Sequence, residues 1–225
     1  MGFYEERVLP RLVHSTCGAP VLSPWRRRVC SGLAGRVVEL GFGSGANSRH
    51  YPPAVERVDA VEPNDLAWRL AERDLVPAAA PAGAVRVPNG GRALIVRSGL
   101  DGQRLPYDDG VFDHALVTFS LCTIPDAVGA LQEARRVLAD GGMLHFLEHG
   151  LAPEASVRRW QRRFEPVQRR LAGGCHLTRE PPALLDAAGF RILELERTYL
   201  PGIPRFEGAL YLGTARASGA SGPEE

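Results

Sequence analysis

Residues 36–47 read Arg36-Val37-Val38-Glu39-Leu40-Gly41-Phe42-Gly43-Ser44-Gly45-Ala46-Asn47, and their pattern decides the fold. A short apolar run stops at a glycine, as a strand buried on both faces does. Glycines then stand at alternate positions 41, 43 and 45. They let the backbone turn sharply and a ligand come close. Such a loop, leaving a first strand and about to open a helix, is where an open α/β sheet holds a nucleotide. A dinucleotide site uses G-x-G-x-x-G, with a pyrophosphate on the helix N-terminus. The tighter G-x-G-x-G spacing here suits a cofactor without pyrophosphate.

The flanking sequence supports an alternating architecture. Strands are predicted at 36–40, 58–62, 93–97, 111–117 and 143–148, and late ones at 191–196 and 210–215. Helices are predicted at 65–75, 127–138 and 154–172, the last with a kink expected at Pro166. About two short helices, punctuated by Pro10, Pro20 and Pro24, fill 3–33. The Pro-, Ala- and Gly-rich stretch 76–92 reads as an exposed loop, and Asp140-Gly141-Gly142 as a tight turn. Alternating strands and helices argue for βαβ units and a mainly parallel sheet. The fold class is therefore α/β, Rossmann-like and doubly wound. Seven strands are expected, with an antiparallel strand at the C-terminus. One domain is expected over 1–217: a helical cap at 1–35, a cofactor-binding core at 36–150 and a substrate side at 151–217. Residues 218–225 read as a disordered tail.

Glu62 ends the second predicted strand, 19 residues after Gly43. An acid at that place can accept both ribose hydroxyls of a nucleotide-like cofactor. The ordered set of motifs resembles the class I S-adenosylmethionine-dependent methyltransferases. It comprises Glu39-x-Gly41-x-Gly43-x-Gly45, Asp101-Gly102-Gln103-Arg104-Leu105-Pro106, Phe112-Asp113-His114-Ala115 and Arg136-Val137-Leu138-Ala139-Asp140-Gly141-Gly142. The resemblance implies that Glu39 and the loop of Gly41, Phe42, Gly43, Gly45 and Asn47 hold the methionine part of the cofactor. Glu62 and Pro63 would hold the ribose, Asp101 and Gly102 the adenine edge. Thr118 and Phe119, at the end of the fourth strand, would border cofactor and acceptor. The product would be S-adenosylhomocysteine. Two departures are Leu100, where the family has glycine, and Asp140, where it has proline.

Three further segments narrow the resemblance: Phe3-Tyr4-Glu5-Glu6-Arg7, Phe146-Leu147-Glu148-His149 and Gly174-Cys175-His176-Leu177-Thr178-Arg179. They are similar to a methyltransferase-like family whose animal members are thiol S-methyltransferases anchored to endoplasmic reticulum and lipid droplets. This implies a small, rather apolar acceptor, with sulfur favoured. An O-, N- or C-acceptor on a lipid, quinone or natural-product intermediate stays open, as does a non-catalytic cofactor-binding protein. A thiol needs only modest activation, because some thiolate is present at neutral pH. His149, at the ligand edge, and His176 are the catalytic candidates, as base or orienting residue. Cys122 and Cys175 read as small buried packing residues.

Composition excludes other classes. A 24% charged, 44% hydrophobic chain with net charge +1 is an ordinary globular one. It lacks the basic excess of a nucleic-acid-binding domain, so a small-molecule partner is expected and nucleic acid is not. The spacings of Cys17, Cys30, Cys122 and Cys175 match no zinc pattern, so no metal is expected. No apolar run reaches spanning length and the start has no signal-like segment. The expectation is a cytoplasmic monomer or homodimer without a stable membrane anchor. The arginines of 158–170 read as a solvated face, with Trp160, Phe164, Val167 and Leu171 turned inward.

Overall fold

The structure, a computed structural model, describes residues 4–79, 84–87, 91–98 and 101–218. The predicted tail falls almost wholly outside the described residues, as does Leu100. Strand β1 (Gly35–Leu40) lies at the centre of one sheet. It pairs in parallel with β2 (Val55–Val61) on one side and β6 (Phe112–Thr118) on the other. Beyond β2 lies β5 (Leu94–Arg97), and beyond β6 lies β7 (Leu138–His149), both parallel. β9 (Ala209–Ala217) runs antiparallel to β7, and β8 (Phe190–Tyr199) pairs antiparallel with β9 at the edge.

Those seven strands are the expected ones. Two more, β3 (Val76–Pro77) and β4 (Val85–Arg86), extend the β5 edge, so the sheet has nine strands. They fall in the stretch read as a loop. Each is a two-residue pairing, too short to leave a periodic signal among prolines and alanines.

Alternation sorts the strand residues onto two faces. Val38, Leu40, Ala115, Val117, Leu144 and Phe146 pack under α4 (Ala127–Val137) and α6 (Pro181–Ala187). Val37, Val58, Ala60, Ile95, Leu116 and Leu147 pack under α2 (Ser23–Cys30) and α3 (Asp65–Glu72). Helix α4 buries Ala127, Ala130, Leu131, Ala134 and Val137, an i, i+3, i+4, i+7 stripe. Its Asp126 cap accepts the Gly129 N–H at 2.8 Å. Asn64 caps α3 in the same way, accepting from Leu66 and Ala67. A first helix, α1 (Leu9–Cys17), precedes α2, as read.

The glycine loop departs from expectation. It opens no full helix but a single 3-10 turn, Ser48–His50. Pro52 follows Tyr51, whose backbone is extended at φ −64 and ψ 130. Proline has no N–H and forces its predecessor out of the helical region, so the turn cannot propagate. Asp140-Gly141-Gly142 also differs. It is absorbed into β7 as a register irregularity opposite Phe112 and His114, with Gly141 at φ +81.

Helix α5 (Ala155–Leu171) corrects the reading of its faces. Trp160, Val167 and Leu171 are more than half exposed, and Phe164 is 37% exposed. The inward stripe is Val157, Gln161, Glu165 and Gln168, spaced by three and four residues. Its polar members are tied to backbone. Gln161 accepts from the Ala152 N–H and donates to the Gly150 carbonyl, each at 2.8 Å. Glu165 accepts from the Thr178 N–H at 2.9 Å. The helix packs against loops, whose backbone groups need polar partners when buried. The short α6 and α7 (Arg205–Gly208) were not read from the sequence; neither is long enough for a helical period.

At Gly41 the φ is +71, and a Cβ there would stand 2.0 Å from Ser120 Oγ. The loops after β1 and β6 therefore meet with no room for a side chain. Gly202, at φ +77, has nothing within 4 Å of such a Cβ. Gly41→Ala is expected to destabilise the protein by about 3 kcal/mol or more, from left-handed strain plus overpacking. Gly202→Ala is expected to cost only the strain, about 1–2 kcal/mol. Chemical denaturation of both variants checks the difference, and equal losses would deny the close approach.

Candidate active site

Glu39, the next-to-last residue of β1, is 1% exposed beneath the glycine loop. Asn47 Nδ2 donates to Glu39 Oε1 at 2.8 Å and to Thr118 Oγ1 at 2.9 Å. The Tyr51 hydroxyl donates to the other carboxylate oxygen. Burial pushes the Glu39 carboxyl up to about 7, against the lowering effect of these two donors. Arg26 of α2 completes the cluster. Its Nη1 donates to Asn47 Oδ1 at 2.7 Å and to Thr118 Oγ1 at 3.1 Å, and its Nε and Nη2 donate to the Cys17 carbonyl. The guanidinium also lies 5.3 Å from the centre of the Phe119 ring. Arg26 was not among the sequence candidates. In the run Arg26-Arg27-Arg28 only the helical phase, shared with Val29 and Cys30, separates the buried arginine from its neighbours.

Glu62 follows β2 directly. Its Oε2 accepts the Gly43 N–H and its Oε1 the Asn64 N–H, each at 2.7 Å. Burial raises its pKa against those two hydrogen bonds. Each oxygen keeps a further lone pair for a hydroxyl donor. Pro63 beside it is exposed. Phe42 turns its ring into the core, 5.6 Å from Trp68 between ring centres. Only its backbone is left for a ligand. Gly41, Gly43 and Gly45 all have positive φ. At Gly43 a Cβ would meet nothing nearer than 3.9 Å, so the loop faces open space there. Asp101 accepts from Gln103 in its own turn and is exposed, while Gly102 lies over Leu40 and Val61 at the ends of β1 and β2. An acid below a bare-backbone cradle, with a second acid able to take two hydroxyls, fits the amino-acid and ribose parts of S-adenosylmethionine.

A second group of polar side chains gathers where β6 ends. Phe119 is the one non-glycine residue with positive φ among the described residues, at +52. Such strain gathers at functional turns. Glu148 of β7 reaches under this turn, and its Oε1 accepts the N–H groups of Ser120 at 2.9 Å and Leu121 at 3.2 Å. Its Oε2 is buried without a partner, and burial pushes the carboxyl up to about 7. Arg179 donates to the Leu121, Ile124 and Pro125 carbonyls and pins the rest of the loop. His149 ends β7 half-buried, with Nε2 3.2 Å from Cys175 Sγ. Burial opposes the charge on His149, but the Cys175 sulfur and Glu148 outweigh it and raise its pKa. Cys122 lies in the same place, and its sulfur, that of Cys175 and a His149 nitrogen lie within 4.8 Å of one another. His176 does not join them. Its Nδ1 faces Glu165 Oε1 at 3.0 Å and its N–H donates to the Cys122 carbonyl. Cys122 and Cys175, read as packing residues, are the missed members of this cluster, and only the fold brings them together.

A concavity of about 600 Å³ lies elsewhere, on the β7–β9–β8 face beside α2, lined by Arg28, Gly32, His145, Leu195 and Thr214 among others. It holds none of the candidate residues. The perturbed acids and the open glycine loop make the carboxyl edge the candidate site instead.

Residues 38–146 match the methyltransferase-domain family. The chain is 36% identical over 170 residues to thiol S-methyltransferase TMT1B of Homo sapiens, covering 74% of this chain and 65% of that protein. It is 32% identical over 167 residues to thiol S-methyltransferase TMT1A of Homo sapiens, covering 73% and 64%. It thus spans a little under two thirds of those relatives' length. A SAM-dependent methyltransferase of Leishmania major superposes with a TM-score of 0.62 at 16% identity, over 94% of this chain and 80% of that one. No helix among the described residues is long and apolar enough to cross a membrane. Residues 38–146 therefore match the methyltransferase-domain family, on the fold that the SAM-dependent methyltransferase of Leishmania major shares.

Proposed function

We propose that this chain transfers the methyl group of S-adenosylmethionine to the sulfur of a small, rather apolar thiol. The observation that carries this reading is the continuity of the carboxyl edge. The glycine loop with Glu62 and the buried cluster of Cys122, His149 and Cys175 meet at the β6 turn. The likeness to thiol S-methyltransferases over most of the chain supports sulfur as the acceptor atom.

When bound, the cofactor supplies a methyl already activated on a sulfonium, so the protein has to align an acceptor and exclude water. Glu39 places negative charge under the amino-acid end. Glu62 takes the ribose hydroxyls, and Asp101 and Gly102 flank the adenine. Thr118 and Phe119 separate cofactor from acceptor. His149 orients the acceptor sulfur. His176, through Glu165 and the Cys122 carbonyl, holds α5 against the acceptor loop.

A panel of one alkyl thiol, one phenol and one amine, read by mass spectrometry, tests the acceptor. Methylated thiol with equimolar S-adenosylhomocysteine is expected; product from the phenol or amine alone would overturn the assignment. Glu62→Gln is expected to weaken cofactor binding by about 10- to 100-fold, the worth of hydrogen bonds to a charged group. Unchanged affinity would remove Glu62 from the ribose site.

The raised Glu39 pKa gives a pH signature. Free protein holds Glu39 protonated below about 7, whereas the cofactor's ammonium favours the carboxylate. Binding below that pH must expel a proton. Affinity is therefore expected to rise with pH up to about 7, by at most about tenfold per unit. Calorimetric titration of the wild type and Glu39→Gln checks this. The variant is expected to be flat, and a flat wild type would contradict the role.

A further inference from the structure

Cys122 and Cys175 are 3% and 5% exposed, and His149 beside them is half-buried. They come from three separate places in the fold: the β6 turn, the end of β7 and the loop after α5. Their donor atoms lie within 4.8 Å of one another. Two cysteine sulfurs and an imidazole form a donor set selective for zinc. Tetrahedral zinc with sulfur at about 2.3 Å and nitrogen at about 2.0–2.1 Å holds its ligands about 3.6–3.8 Å apart. The Cys175–His149 separation is 3.2 Å, so it would open by a few tenths of an ångström. The longest separation, at most 4.8 Å, would close by about 1 Å or less.

We propose that Cys122, His149 and Cys175 form a zinc site whose fourth position takes the acceptor thiol as thiolate. The metal site stands on the geometry alone, while the identity of the fourth ligand rests on the thiol reading above. Three protein ligands and one open position are the pattern of a reactive rather than a structural zinc. Two thiolates balance the zinc charge, so the site is neutral before the acceptor binds and carries one net negative charge once the acceptor thiolate is in place. Surrounding groups suit this. Gln168 Nε2 donates to Cys175 Sγ at 3.7 Å, a contact that steadies a thiolate. Glu148, next in the chain to His149, ties the β6 turn to β7 through Ser120 and Leu121 and so fixes Cys122 relative to His149.

The step at this site is a ligation. The acceptor S–H bond breaks, its proton passes to solvent, and the sulfur lone pair forms the bond to zinc. Nothing is oxidised or reduced. The acceptor sulfur is thereby held as a nucleophile at the β6 turn, where the glycine loop and Phe119 meet. His149 is a ligand on this view and needs to carry no proton in the reaction.

The test uses reduced, chelator-treated full-length protein and a competition titration with zinc chloride against a chromogenic chelator. One zinc per chain is expected for the wild type and for Cys30→Ser, a buried cysteine outside the cluster. Cys122→Ser and Cys175→Ser each remove a ligand and are expected to lose more than the roughly 10- to 100-fold that removing a partner behind a ligand costs. Each variant's retained S-adenosylmethionine binding reports that it is folded. Cobalt(II) is then loaded in place of zinc, and its thiolate charge-transfer and visible bands are followed while one alkyl thiol is added. A spectral shift saturating at one thiol per cobalt is expected. Wild-type protein that binds cofactor but takes up no zinc overturns the metal site. Thiol methylation by such metal-free protein would leave the thiol reading intact. Cobalt bands unmoved by thiol overturn the fourth ligand, and if thiols are also not methylated the thiol reading falls with it.

Discussion

A loop leaving the carboxyl edge of a parallel sheet has backbone N–H groups with no strand partner, and buried donors must be satisfied. Much of this site follows from how the chain meets that constraint. Glu62 takes the N–H groups of Gly43 and Asn64. Glu148 takes those of Ser120 and Leu121. Glu39 takes the side-chain donors of Asn47 and Tyr51. Three carboxylates at the ends of β1, β2 and β7 thus fix the loops at the carboxyl edge of the sheet. Burial raises the pKa of each against the hydrogen bonds that hold it.

Arg26 is the counterweight on the N-terminal side. It joins α2 to the glycine loop and to the end of β6 through Asn47 and Thr118. A buried arginine with every partner in place is stable, whereas removing one partner leaves an uncompensated charge. The N-terminal helices are therefore built into the cofactor edge. On the opposite side α5 turns its polar stripe inward for the same reason: it covers loop backbone, and Gln161 and Glu165 satisfy it.

The central strands were legible because each is a short apolar run with a sharp end, and the alternation of Val37 with Val38 or Leu116 with Val117 predicts burial on both faces. Glu39, Gly41, Gly43 and Glu62 were legible because their chemistry is local to one turn or one strand end. What escaped the sequence was whatever depends on contacts between distant segments. Arg26 differs from Arg27 only by helical phase. Trp160 and Phe164 look like a core stripe, yet they are exposed and stack on each other, with Phe164 also stacked on Phe206. Pro52 stops the helix that the glycine loop would otherwise open. His149 and Cys175 lie in two separate motif segments and Cys122 in a third place, so no local spacing announces the three as one cluster.

On the proposed function, the carboxyl edge holds the cofactor with its reactive sulfur toward Cys122, His149 and Cys175. A crystal structure of the protein with S-adenosylhomocysteine tests it most directly. The ribose hydroxyls are expected on Glu62, the amino-acid end over Gly41 and Gly43, and the thioether sulfur facing the cysteine–histidine cluster. A cofactor product seated in the concavity beside α2, or bound at the edge with its sulfur turned away from the cluster, would contradict the account.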